Sequence, residues 1–419
     1  MNKRDYLTGM ITGALIVIFL GACGACIWIL FGMKNADNNL INQQLVSSTV
    51  SAGVAEGDSV LADEEFVEKM MYLENVIDVY YVDDVSGNAI QDGILDGMMY
   101  SLDDPYADYY TVEELNQVIS SAQGVYYGIG AYLTEDQEKG YPMVTGIIKN
   151  SPAEDSDLCI NDYICEVDGI DVLGMELSDV VALIKGEKGT AVTLTVVRMS
   201  TKEEMSMEIV RGEVETPTVV YEFYDDSKIA YIGISEFDSV TVEQFEEALA
   251  EADSDGMEGL IIDLRGNPGG SLDAVVDVAG QILPKGLVVY TEDKYGNRQE
   301  YTSDGKNELQ VPLVVLVNKG SASASEILAG SIKDYGIGTI MGTTTYGKGI
   351  VQRIVGLPDG TAVKLTVSHY YTPLGNDIHK KGIEPDEYIE FDVDAYMAEE
   401  GYDNQLESAK EYLINQISN

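Results

Sequence analysis

Hydrophobic residues recur along this chain at two periods, and the changes of period divide it into segments. Phe66, Met70, Leu73, Ile77 and Tyr80 fall three and four apart, which predicts a helix with one apolar face. Asp63 and Glu64 stand at its start, where acidic side chains suit a helix N-terminus. Further helices are expected over residues 90–102 and 112–121, on either side of the turn Asp103-Asp104-Pro105. From Gly124 the pattern shortens to a β-rich stretch. It predicts a strand, a short helix opening at Ser151-Pro152-Ala153-Glu154, a strand over 163–167, a helix over 177–185 and a strand over 191–198. Beyond Thr216-Pro217, strands at 229–234, 260–264 and 311–317 alternate with helices at 241–252 and 272–282, the mark of an α/β layer structure. Residues 404–416 again read as helix. The whole is a mixed α/β chain of several domains.

Residues 7–33 contain no charged side chain, and a helix of that length crosses a hydrocarbon core of ~30 Å. Lys3 and Arg4 precede the run, so a single-pass cell-membrane anchor with an inside amino terminus and an extracytoplasmic remainder is expected. A cleaved signal peptide would have a shorter apolar core. Leu20-Gly21-Ala22-Cys23 resembles a lipobox, but the apolar stretch from Ala25 to Phe31 continues past Cys23 where a mature lipoprotein turns polar. Residues 34–60 are small and polar, as a linker should be. The helical region at 61–122 reads as a packing or dimerisation module, which makes a homodimer or higher homo-oligomer a candidate assembly.

Charge narrows the field of partners. Against 25 Lys and Arg stand 72 Asp and Glu, a net charge of −47, which repels nucleic-acid phosphates and anionic headgroups alike. Membrane attachment therefore falls to the apolar run. Cys159 and Cys165 could pair in an exported protein, though buried free thiols are the expectation. No cysteine or histidine spacing fits a structural metal site.

Three segments carry candidate chemistry. Asn318-Lys319-Gly320-Ser321-Ala322-Ser323-Ala324-Ser325-Glu326 follows the strand at 311–317 and leads into a helix. Strand, tight turn of small residues and helix is the layout that exposes a nucleophile and aims helix N–H groups at developing negative charge. Composition does not rank Ser321, Ser323 and Ser325. Gly342-Thr343-Thr344-Thr345-Tyr346-Gly347-Lys348-Gly349 imitates a phosphate loop, but Gly349 replaces the magnesium-binding hydroxyl and a strand follows instead of a helix, so nucleotide binding is rejected. A lysine held between glycines in apolar surroundings can instead accept a proton from a serine. Gln352 is expected on the same strand face, two pleats along, where its amide could orient that amine. Arg265-Gly266-Asn267-Pro268-Gly269-Gly270 closes a buried strand with a turn able to offer N–H groups to an oxyanion. The two histidines, His369 in a strand and His379 in a basic turn, suit packing or surface roles better than a triad.

Together these segments resemble the carboxyl-terminal processing proteases, serine peptidases of family S41. The likeness covers nearly everything from residue 60 onward, including Ser101-Leu102-Asp103-Asp104-Pro105-Tyr106, Tyr370-Tyr371-Thr372-Pro373 and Lys381-Gly382-Ile383-Glu384-Pro385-Asp386. Residues 123–212 resemble a PDZ domain, with Gly128-Ile129-Gly130-Ala131 as the peptide-carboxylate loop, and 213–392 the protease core, with 393–419 as a helical tail. The resemblance implies Ser323 as nucleophile, because Glu follows three places later and Lys twenty-five later. It implies Lys348 as base, Gln352 as its assistant, and the N–H groups of Ala324 and Gly269 as oxyanion donors. No metal or organic cofactor is implied. The partners it implies are proteins or peptides with exposed carboxyl tails, and no nucleic acid. A non-catalytic PDZ scaffold at the membrane is the alternative reading.

Overall fold

The computed structural model describes residues 63–136, 139–398 and 402–418. The apolar run at 7–33, the lipobox-like Cys23 and the linker at 34–60 lie outside the described residues. Among the described residues, no helix is long and apolar enough to cross a membrane.

Backbone contacts separate two units. In the smaller, helices α1 (Glu64–Tyr80) and α2 (Gly87–Tyr100) precede the short strand β1 (Asp108–Tyr110). Asp63 caps α1 as its position suggests, its Oδ1 accepting from the N–H groups of Glu65 at 3.0 Å and Phe66 at 3.4 Å. The periodic face of α1 is real but only partly covered among the described residues: Met70 and Ile77 are partly buried, no residue of either helix is fully buried, and Leu73 is 57% exposed. Helix α3 (Val112–Gln123) then leads into the larger unit.

There, nine elements from β2 (Val125–Gly128) to β9 (Gly212–Glu215) form the PDZ-like part. Strand β3 (Ala131–Glu135) stands at the edge of a sheet that continues through β4 (Pro142–Ile147), β5 (Asp162–Val167), β7 (Ala191–Arg198) and β8 (Glu203–Val210). The short β6 (Ile170–Asp171) pairs with β5, and helix α4 (Leu177–Ile184) packs on β3 and β5. Val144, Ile164, Val180, Val192, Leu194 and Val196 are sealed in its core. Two expectations need correction here. Residues 151–154 form turns and no helix, because the Ala153 N–H donates to the Ile129 carbonyl (2.7 Å) and the Ser151 hydroxyl to that of Gly130 (3.2 Å). Both cysteines are free as expected, but Cys159 lies exposed ahead of β5 and Cys165 is half-buried within it.

The α/β layer is a six-stranded sheet. Its strands are β10 (Val219–Tyr224), β11 (Ile229–Ile234), β12 (Gly259–Asp263), β15 (Leu313–Val317), β16 (Thr339–Gly342) and β19 (Glu387–Tyr388), in that spatial order. Every pair after β10–β11 is parallel. Helices α5 (Thr241–Asp255), α6 (Leu272–Gly280) and α7 (Ala324–Tyr335) share one apolar cluster with the sheet. After the short α8 (Val393–Ala398), helix α9 (Asn404–Ile417) covers the opposite face through Ala409 and Leu413. Strands β12 and β15 are buried at every residue, as central parallel strands should be. A second sheet contains β13 (Gly286–Asp293), β14 (Arg298–Ser303), β17 (Ile350–Gly356) and β18 (Ala362–Tyr371). Residues 352–366 of this segment group with the helical unit, where β18 pairs with β1 from Asp108↔Lys364 to Tyr110↔Ala362.

One buried carboxyl makes a thermodynamic prediction. Asp238, 5% exposed, sits between β11 and α5 against Gly124, whose φ of +68° and contact with Asp238 and Val240 leave no room for a side chain. Burial, with Glu236 nearby, pushes its pKa from 3.8 up to about 6. Between those values the folded chain holds a proton that the unfolded chain has released, so stability falls as pH rises through the window. Above about 6 the penalty is complete. Asp238→Asn is therefore expected to exceed the wild type in stability at neutral pH by on the order of 2 kcal/mol, and to lose that advantage near pH 4. Urea melts of both proteins at the two pH values check this, and a pH-independent difference would refute it.

Candidate active site

Three neighbouring parallel strands, β12, β15 and β16, deliver the three candidate segments from their carboxyl ends. That is the edge of an open α/β sheet where ligands bind. The Arg265–Gly270 turn follows β12, the serine turn follows β15, and the Thr343–Gly349 loop follows β16.

The three serines differ in what surrounds them. Ser321 is fully buried, its hydroxyl donating to the Leu264 carbonyl at 2.8 Å and accepting from the Asn318 N–H at 2.9 Å. Ser325 is buried too and donates to the Asn267 carbonyl at 3.0 Å. Both hydroxyls tie the serine turn to its neighbour. Ser323 alone of the three is partly exposed, with φ 54° and ψ −113° immediately before α7. Such backbone costs about 1–3 kcal/mol and persists only where surroundings impose it. Here two hydrogen bonds do so: the Ser323 N–H donates to Glu326 Oε2 (2.9 Å), and the Tyr370 hydroxyl donates to the Ser323 carbonyl (2.9 Å). Tyr370 is itself buried; desolvation, with Glu326 adding to it, drives its phenol well above the ordinary range and keeps it a donor.

Glu326 is the hub of the arrangement. Fully buried in the first turn of α7, its Oε1 accepts from the Thr345 hydroxyl and the Gly347 N–H, each at 2.6 Å. Its Oε2 accepts from the N–H groups of Ser323 (2.9 Å) and Lys348 (2.8 Å). One carboxylate oxygen thus joins the backbone of both, which places Ser323 and Lys348 within two hydrogen-bond lengths of each other at the main chain. The lysine loop is clamped from its other side by residues 378–383. Lys380 N–H donates to the Gly347 carbonyl (2.7 Å), Thr345 N–H to that of Ile383 (3.2 Å), and Ile383 N–H to the Thr345 hydroxyl (2.6 Å). A Cβ on Gly347 or Gly349 would press within 3 Å of the backbone of this turn, which is why Lys348 stands between glycines.

Gly269 lies over the start of α7. With φ +108°, any side chain there would meet Ser323 Cβ at 2.7 Å, the Ala322 carbonyl at 2.8 Å and Ala324 N at 3.0 Å. Ala324 opens α7, where no preceding turn can accept its N–H. The Gly269 N–H, however, donates to Asn267 Oδ1 at 2.8 Å. Asn267 is fully buried and also receives the Ala322 N–H, so it welds the two turns together. Arg265 fixes the turn's other end through Asp263 (2.6 Å), Asp403 (2.7 Å) and Gln405 (2.9 Å), the last two at the start of α9.

The Gly128–Ala131 loop takes no part in this set. It joins β2 to the edge strand β3, with Ile129 in the PDZ-like core and Gly130 at φ +83° tight against Ser151. An edge strand beside a glycine-bearing loop can accept an added strand.

The region from 228 to 389 matches the model of peptidase family S41, residues 143–198 that of a PDZ domain, and 19–114 that of the activating protease CtpB N-terminal domain. Carboxy-terminal processing protease CtpB of Bacillus subtilis is 35% identical over 353 residues, covering 83% of this chain and 72% of that protein. The chain belongs to the carboxyl-terminal processing proteases. A second family member, the carboxyl-terminal-processing protease of Synechocystis, is 34% identical and covers 71% of this chain and 70% of its own. The solved photosystem II D1 C-terminal processing protease is 31% identical, covering 78% of this chain and 87% of its own with a TM-score of 0.45.

As a carboxyl-terminal processing protease, the chain is a serine-type peptidase with a PDZ domain. Two expectations about its site residues are modified by the geometry. Strand β17 begins at Ile350, so Lys348 sits in irregular backbone where pleat alternation does not relate it to Gln352. Gln352 groups with the helical unit, its amide donating to Thr366 Oγ1 at 3.2 Å. His379 lies in the clamping turn, edge-on to His369 with ring centroids 5.5 Å apart. Burial, His369 and Lys380 push its imidazole below the ordinary range. Glu326, a spacing marker in the sequence, emerges as the residue that ties the serine turn to the lysine loop.

Proposed function

We propose that this protein is a membrane-anchored endopeptidase that cleaves exported or membrane proteins near accessible carboxyl tails, with Ser323 as nucleophile and Lys348 as general base. The observation that carries this is the Glu326 carboxylate, whose single Oε2 holds the main chain of both residues. Neutral Lys348 takes the Ser323 proton as Oγ attacks the scissile carbonyl. The Ala324 N–H, at the positive end of α7, receives the oxyanion; Gly269 contributes chiefly by leaving room for it. Lys348 then passes the proton to the departing amine, and water repeats the cycle on the acyl-enzyme. Gln352 is assigned as the lysine's assistant on the family resemblance alone. The PDZ loop at Gly128–Ala131 binds the substrate's terminal carboxylate, β3 pairs with its last residues, and this binding gates cleavage. Residues 7–33 anchor the chain, holding both domains outside the cytoplasm.

The test uses the chain from residue 60 with an unfolded protein ending in an apolar tail, its products mapped by mass spectrometry. Cleavage is expected to disappear in Ser323→Ala and to slow when the tail is amidated. Equal cleavage by both enzymes would sink the nucleophile assignment, and indifference to amidation would sink the role of the tail.

A further inference from the structure

The loop that carries Lys348 holds one residue that the proposed mechanism leaves unused. From Met341 to Val351 every residue is buried or partly buried except Tyr346, which is 60% exposed. A single exposed aromatic is ordinary on a protein surface. This one differs in how its backbone is held. Its N–H donates to the Ser321 carbonyl at 3.0 Å, two residues before Ser323. On either side, the Thr345 hydroxyl and the Gly347 N–H both donate to Glu326 Oε1 at 2.6 Å, and the Gly347 carbonyl accepts from Lys380. Thr345 and Gly347 are buried, so the chain rises to the surface for this one side chain. A ring on backbone so constrained loses little freedom when it meets a ligand, the condition under which tyrosine gives large contact area at low entropic cost.

We propose that Tyr346 is a specificity-determining residue that packs against an apolar substrate side chain close to the bond being cut. The position follows from connectivity: Tyr346 is two residues from Lys348 and one hydrogen bond from the serine turn. The chemistry follows from the ring, which offers an apolar face with a hydroxyl at its edge. This assignment rests on the Ser323–Lys348 reading and names the substrate feature that the site selects.

Fluorogenic peptides that differ only by Leu or Gly at each of the three positions on either side of the scissile bond test it. The readout is the ratio of kcat/KM for the Leu peptide to that for its Gly counterpart. Tyr346→Ala is expected to collapse that ratio at one position by roughly ten- to a hundredfold. Tyr346→Phe should preserve it, and Tyr346→Leu should fall between. A merely structural role lowers both rates together and leaves the ratio unchanged, and an unchanged ratio in Tyr346→Ala and Tyr346→Leu overturns the proposal. Ser323→Ala is assayed alongside. Retained cleavage there overturns the nucleophile assignment, whereas lost cleavage there with an unchanged Tyr346→Ala ratio overturns the aromatic contact alone.

Discussion

Alanine at Ser323 and alanine at Lys348 are each expected to lower kcat/KM by roughly four orders of magnitude or more, and the double variant to be no worse than either single. Non-additivity is the diagnostic part. If lysine serves only to take and return the serine proton, removing it when the hydroxyl is already gone costs nothing further. Lys348→Arg sharpens the test, because guanidinium keeps the positive charge but stays protonated and cannot act as base. That variant should be as inactive as Lys348→Ala. In the wild type the rate should climb with pH as the neutral amine accumulates. Measuring kcat/KM across the alkaline range for all five proteins decides the matter: an active arginine variant, or a double variant far below both singles, would remove lysine from the reaction.

Glu326→Ala should be the most damaging single change away from the reacting atoms. Four donors converge on this buried carboxylate: the N–H groups of Ser323, Gly347 and Lys348 and the Thr345 hydroxyl. Each left without an acceptor costs about 1–3 kcal/mol, so after the relief of uncovering no buried charge the net loss should be roughly 4 kcal/mol. In a domain of this size that lowers Tm by about 10 °C. Ser323 also loses one of the two bonds that enforce its φ of 54°, and displacement of a reacting group by an ångström costs about a hundredfold in rate. Glu326→Gln separates shape from charge: it fills the same space but turns an NH2 toward N–H donors. Thermal melts and the rate of Ser323 labelling by a small fluorophosphonate report the two effects. A glutamine variant that melts and labels like the wild type would show that the carboxylate is not what joins the two segments.

How much of this is legible beforehand varies with the kind of residue. Strands at 229–234 and 191–198 are read to the residue, because a buried strand is nearly all apolar and its ends are marked by turns. Strand β8 escapes although Met205, Met207 and Ile209 alternate with Glu204, Ser206 and Glu208, because its run of Glu, Ser and Met lacks the β-branched and aromatic residues that mark a strand. Helix α1 is predicted correctly, yet among the described residues its apolar face is nowhere fully buried, a fact that periodicity cannot supply. Residues 352–366 read as part of the protease core, but their pairing with β1 is a long-range contact with no local signature. At the site, small-residue composition marks the serine turn and leaves its three hydroxyls equal. Only the fold reveals that Ser321 and Ser325 spend theirs on the carbonyls of Leu264 and Asn267. Glu326 is hidden for a related reason: three of its four partners are backbone N–H groups, which any sequence would offer.

The clamp on the lysine loop has a consequence in time. Residues 378–383 hold Thr345 and Gly347, and Arg265 is completed only by Asp403 and Gln405. Synthesis runs from the amino end, so Ser323 and its helix exist well before the segment that seats Lys348. A chain released short of residue 383 would carry Ser323 without the clamp that seats Lys348. On the proposed mechanism, competence waits for residues 378–383 and 403–405 to be made, and a copy cut short of them would leave the unfolded chains around it uncleaved, its own included.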